Sequence, residues 1–259
     1  MNIYCMTCEP YYPTLPGFAH QFNKHWGADQ NVIVVGYGPL TYDSLYPVKK
    51  EGAPEPETLL PSNFSFLSLG KQADYPVGKW SDSLIRLLQI IPDDYPCIMF
   101  EDYWLLKPVK RDVVEVLYNF MTTTASVIKM DLCAERMYSA GVTDYGEIVT
   151  GDDGTGIEIV KSDPHSPYHM SLMTGIYNKW LLLGVIQPNW SPWDTELIGT
   201  SVLAAHEDRI LVLGTKQYPV HQKLIHRGGG YKSFLVDELS SMDNAGLKEM
   251  RELGFIQDR

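Results

Sequence analysis

The sequence reads as an α/β protein with a mostly parallel central sheet flanked by helices, and three observations carry that reading. Short, wholly apolar runs recur, clearest in Asn31-Val-Ile-Val-Val-Gly36 and Pro96-Cys-Ile-Met-Phe100. Strands covered on both faces look like this, because neither side chain direction meets water. Amphipathic stretches at helical spacing separate these runs, and such alternation is what parallel strands joined by crossover helices require.

Taken in order, residues 2–7 are expected to form a first strand and Glu9 to Gly17 a Pro-rich loop. Residues 17–26 read as a short helix, 31–36 as a buried second strand, 38–62 as a long loop with five prolines, and 64–69 as a third strand. The clearest helix places Trp80, Leu84, Leu87, Leu88 and Ile91 on one face, with Ser81 or Asp82 serving its first turn. Pro92 ends it, since the residue before a proline avoids the helical region. A strand at 96–100 exits into Glu101-Asp102. A helix from Pro108 to about Thr123 turns Val109, Val113, Val116, Leu117 and Phe120 inward, and a strand follows at 125–130.

The second half is smaller in regular content. Residues 138–165 suggest hairpins, with Gly151-Asp-Asp-Gly154 as a solvated turn. Strands are expected at 168–174, 209–213 and 218–225, and helices at 177–184 and 193–205. A last helix is capped by Asp243, buries Leu247, Met250 and Leu253, and closes at Gly254. No repeat or linker splits the chain, so residues 1–259 are expected to form one domain.

The composition narrows the function. A net charge of -11 speaks against a protein held to nucleic acid through phosphates, although Lys216, Lys223, Arg227 and Lys232 could assemble a local basic groove. Cys5 and Cys8 form a CxxC without the second pair or the histidines a zinc site needs, and Cys97 and Cys133 sit in apolar stretches, so the thiols read as structural. The first residues lack a leader pattern and no apolar run approaches a membrane span. The expectation is a soluble cytoplasmic protein without membrane insertion.

Glu101 and Asp102 are the strongest chemical signal. Two acids at the exit of an apolar strand are costly to place there unless they bind something. Carboxylates suit a hard divalent cation, Mn²⁺ or Mg²⁺, with positions left open for phosphate. The structural alternative is a capping pair ahead of the Pro108 helix. His226-Arg-Gly-Gly-Gly-Tyr-Lys232 is a second signal: a glycine-rich stretch whose basic groups could close on a diphosphate, or an ordinary charged loop.

Lys79-Trp-Ser-Asp-Ser-Leu-Ile-Arg-Leu-Leu, followed by Ile-Pro-x-Asp-Tyr and then Glu-Asp-Tyr-Trp-Leu-Leu, resembles a group of GT-A-like glycosyltransferases of bacteria and their phages. Ser171-Leu-Met-Thr-Gly-Ile-Tyr-Asn-Lys-Trp and Pro192-Trp-Asp-Thr-Glu-Leu are similar to that family's acceptor side, and the likeness covers most of residues 1–205. Glu101-Asp102 departs from the family's Asp-x-Asp. The resemblance implies a GT-A-like (Rossmann-like) fold, with residues 1–130 as the nucleotide-sugar half and 131–259 as an irregular acceptor-side half with a closing loop.

It implies a donor site of Thr7, Cys8, Glu9, Tyr11, Lys79, Trp80, Ser81, Asp82, Arg86, Glu101, Asp102, His226 and Arg227. Asp102 and His226 would be the metal contacts, and His169, Thr174 and Trp193 would meet the acceptor. Asp194 or Glu196 would be the catalytic base, each with a helix N-terminal charge as its alternative role. The implied activity is hexosyl or pentosyl transfer from a nucleotide-diphosphate sugar, UDP-sugar first. The acceptor is a surface glycan or a hydroxymethylated pyrimidine in phage DNA; a phage protein would work in the host cytoplasm. A nucleotide-sugar-binding protein without transfer activity is the rival. A nucleotidyltransferase would want a Gly-rich signature near residue 10, where Pro10 to Pro16 stands instead.

Overall fold

A computed structural model describes residues 1–46, 58–132, 142–150, 155–215, 221–223 and 244–255. In chain order the elements are β1 (Ile3–Met6), α1 (Leu15–His25), β2 (Val32–Gly36), α2 (Tyr42–Leu45), β3 (Phe64–Ser68), α3 (Trp80–Ile90), β4 (Cys97–Phe100), β5 (Tyr103–Leu105) and α4 (Arg111–Thr123). There follow β6 (Val127–Asp131), β7 (Val142–Thr150), β8 (Thr155–Ser162), β9 (Gly175–Tyr177), α5 (Lys179–Val185), α6 (Pro192–Ala204), β10 (Leu211–Thr215), β11 (His221–Lys223) and α7 (Asn244–Glu252). The expected α/β class holds. The chain divides into two compact units: Tyr4–Gln72, Phe100–Val109 and Val220–Arg259 form one, and Met1–Ile3, Ala73–Met99 and Lys110–Pro219 the other.

In the first unit the strand order is β3-β2-β1, with β2 and β3 parallel from Val32 opposite Phe64 to Gly36 opposite Ser68. Aromatic packing seats α1 on this layer. Phe22 meets Phe64 edge-on at 5.7 Å between centroids, Phe18 meets it at 6.4 Å, and Trp26 stacks on Phe22 at 5.3 Å. Such pairs add to the stabilisation from area burial alone. The opposite side of α1 packs on β5, where Gly17 lets the fully buried Trp104 ring approach: a Cβ at Gly17 would lie 2.1 Å from that ring. The expected Pro-rich loop after β1 instead winds as a 3₁₀ turn over Glu9–Thr14. Its Tyr12 hydroxyl accepts from Tyr37 N and donates to Tyr37 O, clamping the exit of β2.

β5, absent from the sequence reading, pairs antiparallel with β11, Lys223 opposite Tyr103. On α7, Glu249 takes His20 Nε2 at 3.1 Å and Lys24 Nζ, both from α1. Met250 is buried and Gly254, at φ +76°, ends the helix as expected, but Leu253 is exposed rather than inward. Asp243 lies outside the described residues, as do Cys133, Gly151 to Gly154, Lys216, His226, Arg227 and Lys232.

In the second unit the order is β4-β9-β6-β10-β8-β7. β9 runs antiparallel between β4 and β6, β10 is parallel to β6, and the β8–β7 hairpin follows antiparallel, so β4, β6 and β10 share one direction. α4 and α5 pack on β6. α4 starts three residues later than expected, because Lys110 is still extended. The buried side chains are then Val114, Leu117 and Met121, while Val113, Val116 and Phe120 are half-buried. Residues 168–174 are not a strand; β9 begins only at Gly175. α3 ends as expected, with Ile91 extended ahead of Pro92.

Candidate functional site

β4 is buried to Met99 and releases the chain into a turn at Glu101-Asp102. Within the first unit, Trp104 fixes this turn: its indole N–H donates to Glu101 O at 3.0 Å beneath Gly17. Glu101 is 6% exposed and Asp102 is half-buried. The two carboxylates act on Cys5 and Cys8 of the first strand and the loop leaving it. Burial, then Glu101, then Asp102 pushes the Cys5 thiol well above its usual range. Burial and Glu101 likewise raise Cys8 far above it. Thiols held protonated in this way are poor nucleophiles.

Around these groups the strand ends converge. Thr7 N donates to Val35 O at 2.9 Å, and Tyr11 N to Cys8 O at 2.8 Å. Glu9 N donates to Gln72 Oε1 at 3.2 Å, while the Glu9 carboxylate lies beside Gly38, 3.3 Å from where a Cβ would stand. Thr7, Cys8, Glu9, Tyr11, Glu101 and Asp102 therefore belong to one unit, at the carboxyl ends of its strands, where α/β sheets bind ligands. β11 ends opposite Tyr103, beside Asp102 in sequence.

The other expected donor residues lie in the second unit. Lys79 and Arg86 are exposed and Trp80 is half-buried at the start of α3. Ser81 and Asp82 are engaged elsewhere. The Ser81 hydroxyl, closed to solvent, donates to Gln187 O at 2.7 Å and accepts from Trp190 N at 3.0 Å. Asp82 Oδ2 accepts from Asn189 N at 2.7 Å, which holds Asn189 at φ +62°. These two residues tie α3 to the segment leading into α6.

The same unit holds the expected acceptor residues and acids. Asp194 closes a capping box: its Oδ2 accepts from Ser191 N and Oγ at 3.0 and 2.7 Å, and the Ser191 hydroxyl accepts from Asp194 N. The hydroxyl and then the amide of Ser191 hold the Asp194 carboxyl below its usual range, which weakens it as a base. Glu196 Oε1 accepts from Leu172 N at 2.7 Å. His169 and Thr174 are buried, and Trp193 is 58% exposed.

Sequence reasoning missed Lys129, Asp131 and Ser171, which meet in the second unit with Lys129 Nζ 3.2 Å from Asp131 Oδ2. The signal was available: two opposite charges, two residues apart, inside the apolar strand Val-Ile-Lys-Met-Asp.

Glu101 and Asp102 offer hard oxygen donors of the kind Mg²⁺ takes together with substrate phosphates. Among the described residues no group of three or more His, Cys, Asp or Glu could hold an ion by itself. A cavity of about 580 Å³ in the first unit lies elsewhere, between α1, residues 58–61 and α7, and none of the expected site residues lines it. Among the described residues no helix is long and apolar enough to cross a membrane.

No protein-family model matches the sequence, and no curated protein matches it. Distant likeness exists to solved structures. A UDP-glucose pyrophosphorylase complexed with UDP-glucose is 11% identical over 96% of this chain and 100% of its own, with a TM-score of 0.45. The galactosyltransferase LgtC, in complex with donor and acceptor sugar analogues, is 12% identical over 99% and 100%, with a TM-score of 0.39. TarS of S. aureus is 15% identical over 84% of this chain and 35% of its own, with a TM-score of 0.43. Likeness this distant leaves function to the chain's own residues.

Proposed function

We propose that this chain is a glycosyltransferase that moves a sugar from a nucleotide-diphosphate sugar, UDP-sugar first, to a hydroxyl acceptor. The observation that carries the proposal is the buried acidic turn. Glu101, 6% exposed, and Asp102 follow an apolar strand in the unit that also brings Thr7 to Glu9 to its strand ends. Trp104 fixes the turn through the Glu101 carbonyl, and its two carboxylates are the hard oxygen donors that a divalent ion takes together with a diphosphate.

In this reading Thr7, Cys8, Glu9 and Tyr11 receive the nucleoside, and Asp102, with Glu101 beside it, faces the diphosphate. A divalent ion bound there with the diphosphate would offset charge on the leaving group. His226 and Arg227, three and four residues beyond Lys223, are assigned to the same phosphates. Lys79, Trp80 and Arg86 are assigned to the donor as well, whereas Ser81 and Asp82 serve the α3–α6 connection.

The acceptor oxygen forms its bond to the anomeric carbon as the bond to the diphosphate breaks, and the acceptor proton passes to a carboxylate. Glu196 is assigned that role ahead of Asp194, because both Asp194 hydrogen bonds to Ser191 close the helix cap and hold its carboxyl below the usual range. His169, Thr174 and Trp193 are assigned to the acceptor side. A glycan is favoured over a hydroxymethylated pyrimidine in DNA, since the net charge of -11 opposes a polyanion.

One observation favours the rival, a nucleotide-sugar-binding protein without transfer: both Asp194 and Glu196 hold backbone groups. The deciding experiment incubates the protein with labelled nucleotide sugars and a glycan panel. Transfer above solvent hydrolysis supports the enzyme, and donor binding with no product supports the rival.

A further inference from the structure

The acidic turn leaves a second buried charge cluster unexplained. Lys129 and Asp131 stand two apart on β6, so they share a face, and their side chains are 0% and 1% exposed. Lys129 Nζ donates to Asp131 Oδ2 at 3.2 Å and to both the carbonyl and the hydroxyl of Ser171 at 2.9 Å. The Ser171 hydroxyl donates in turn to Asp131 Oδ2 at 3.4 Å. Gly175 makes room for the lysine: a Cβ there would stand 2.8 Å from Lys129 Cε.

Ser171 belongs to the irregular segment ahead of β9, and other side chains hold the rest of it. Met170 N donates to Thr200 Oγ1 at 3.0 Å, Leu172 N to Glu196 Oε1 at 2.7 Å, and the Tyr177 hydroxyl to Met173 O at 2.8 Å. A buried ion pair is seldom more stable than well-packed apolar residues of the same volume, so stability alone does not account for this one. Its place in the sheet does. Gly175 pairs with Ile98 on one side and with Asp131, the last residue of β6, on the other. Residues 169–174 therefore run at the carboxyl ends of β4 and β6, the edge where open α/β sheets take their ligands. Leu172 is half-buried there, and α6, whose Glu196 grips Leu172 N, carries Trp193 at 58% exposure. An apolar wall with one exposed ring suits the C–H face of a sugar.

We infer that Lys129 is a positioning residue: with Asp131 it locks residues 169–174 into the wall against which a sugar acceptor lies. This rests on the transferase reading for the identity of the ligand, and on the geometry alone for the locking.

The test uses the full chain carrying K129M and D131L together, with S171A as a milder variant that keeps the ion pair. Three quantities are read: Tm, amide exchange at Met170 and Leu172, and KM for acceptor and donor separately. K129M/D131L should stay folded with Tm within about 5 °C of wild type, as apolar replacement of a buried pair predicts. Its Met170 and Leu172 amides should exchange on the order of tenfold faster, as a locally opened segment does. Acceptor KM should rise on the order of tenfold from misplacement, with donor KM unchanged. S171A should move exchange and acceptor KM the same way by less.

Wild-type exchange and acceptor KM in the double variant would overturn the inference. So would a collapse of its Tm with S171A indistinguishable from wild type, because the pair would then be a stability element. If the wild-type protein glycosylates no acceptor, the transferase reading fails, and the exchange arm still decides whether Lys129 locks the segment.

Discussion

Replacing Gly17 by alanine sets two effects against each other in α1. Helix propensity favours alanine over glycine by up to about 1 kcal/mol. The new methyl, however, would sit 2.1 Å from Trp104 Cη2 and 2.5 Å from Cζ2, against the ~3.5–4.0 Å of an ordinary carbon contact. Trp104 is fully buried and its indole N–H is held by Glu101 O at 3.0 Å, so the ring cannot step back by the missing ~1.5 Å without moving the acidic turn. Overpacking of this kind costs about 1–3 kcal/mol and occasionally more, so the clash wins.

A net loss of about 1–2 kcal/mol lowers Tm by roughly 2–8 °C in a chain of this size. Trp104→Phe should also destabilise, by lost volume and a lost hydrogen bond, yet it removes the atoms Gly17→Ala strikes. Differential scanning calorimetry of both single variants and the pair gives the coupling. The double variant should be more stable than the sum of the single losses implies, and G17A should weaken nucleotide-sugar binding through Glu101. Strict additivity, or G17A melting at or above wild type, would refute the packing argument.

Cys8 should react slowly with a disulfide reagent at pH 8 in the native protein, because burial and the Glu101 carboxylate keep its thiol protonated; E101Q should speed the reaction, and a wild-type rate equal to a free thiol would contradict the cluster. Lys24 and then His20 hold the Glu249 carboxyl below its usual range, so its stabilising effect is present above the ordinary glutamate pKa and is lost as pH falls through the lower folded value. Melting curves from pH 7 down to 3 should therefore lose part of their acid dependence in E249Q, and an unchanged profile would count against that docking contact. E196Q should keep the fold, since an amide oxygen still accepts from Leu172 N, while transfer falls on the order of a hundredfold as a lost general base predicts. Full activity in E196Q would move the base elsewhere.

The parts of the fold legible in the sequence are those where local pattern and burial agree. Val32 to Gly36 had to be a covered strand, and Leu84, Leu87 and Leu88 could share only a helical face. Residues 168–174 misled because Met170, Leu172 and Met173 look like strand residues, whereas side chains of Lys129, Thr200, Glu196 and Tyr177, not a ladder, satisfy their backbone. β5 escaped notice because three residues carry no period. At the site, the acidic pair was visible as charge at the end of an apolar run. The engagement of Ser81 with Gln187 and Trp190 was not, because no local pattern encodes a contact more than a hundred residues away.

The most direct test of the central claim is a thermal-shift comparison of wild type and Asp102→Asn across nucleotides and nucleotide sugars, with and without Mn²⁺. At a hundredfold excess over Kd, binding to the folded state alone adds about 2.7 kcal/mol. That corresponds to roughly 5–10 °C in Tm for a chain of this size. The account predicts such a shift for wild type with at least one nucleotide sugar, and its loss in D102N at unchanged ligand-free Tm. No shift with any nucleotide or nucleotide sugar, or an equal shift in D102N, would contradict it.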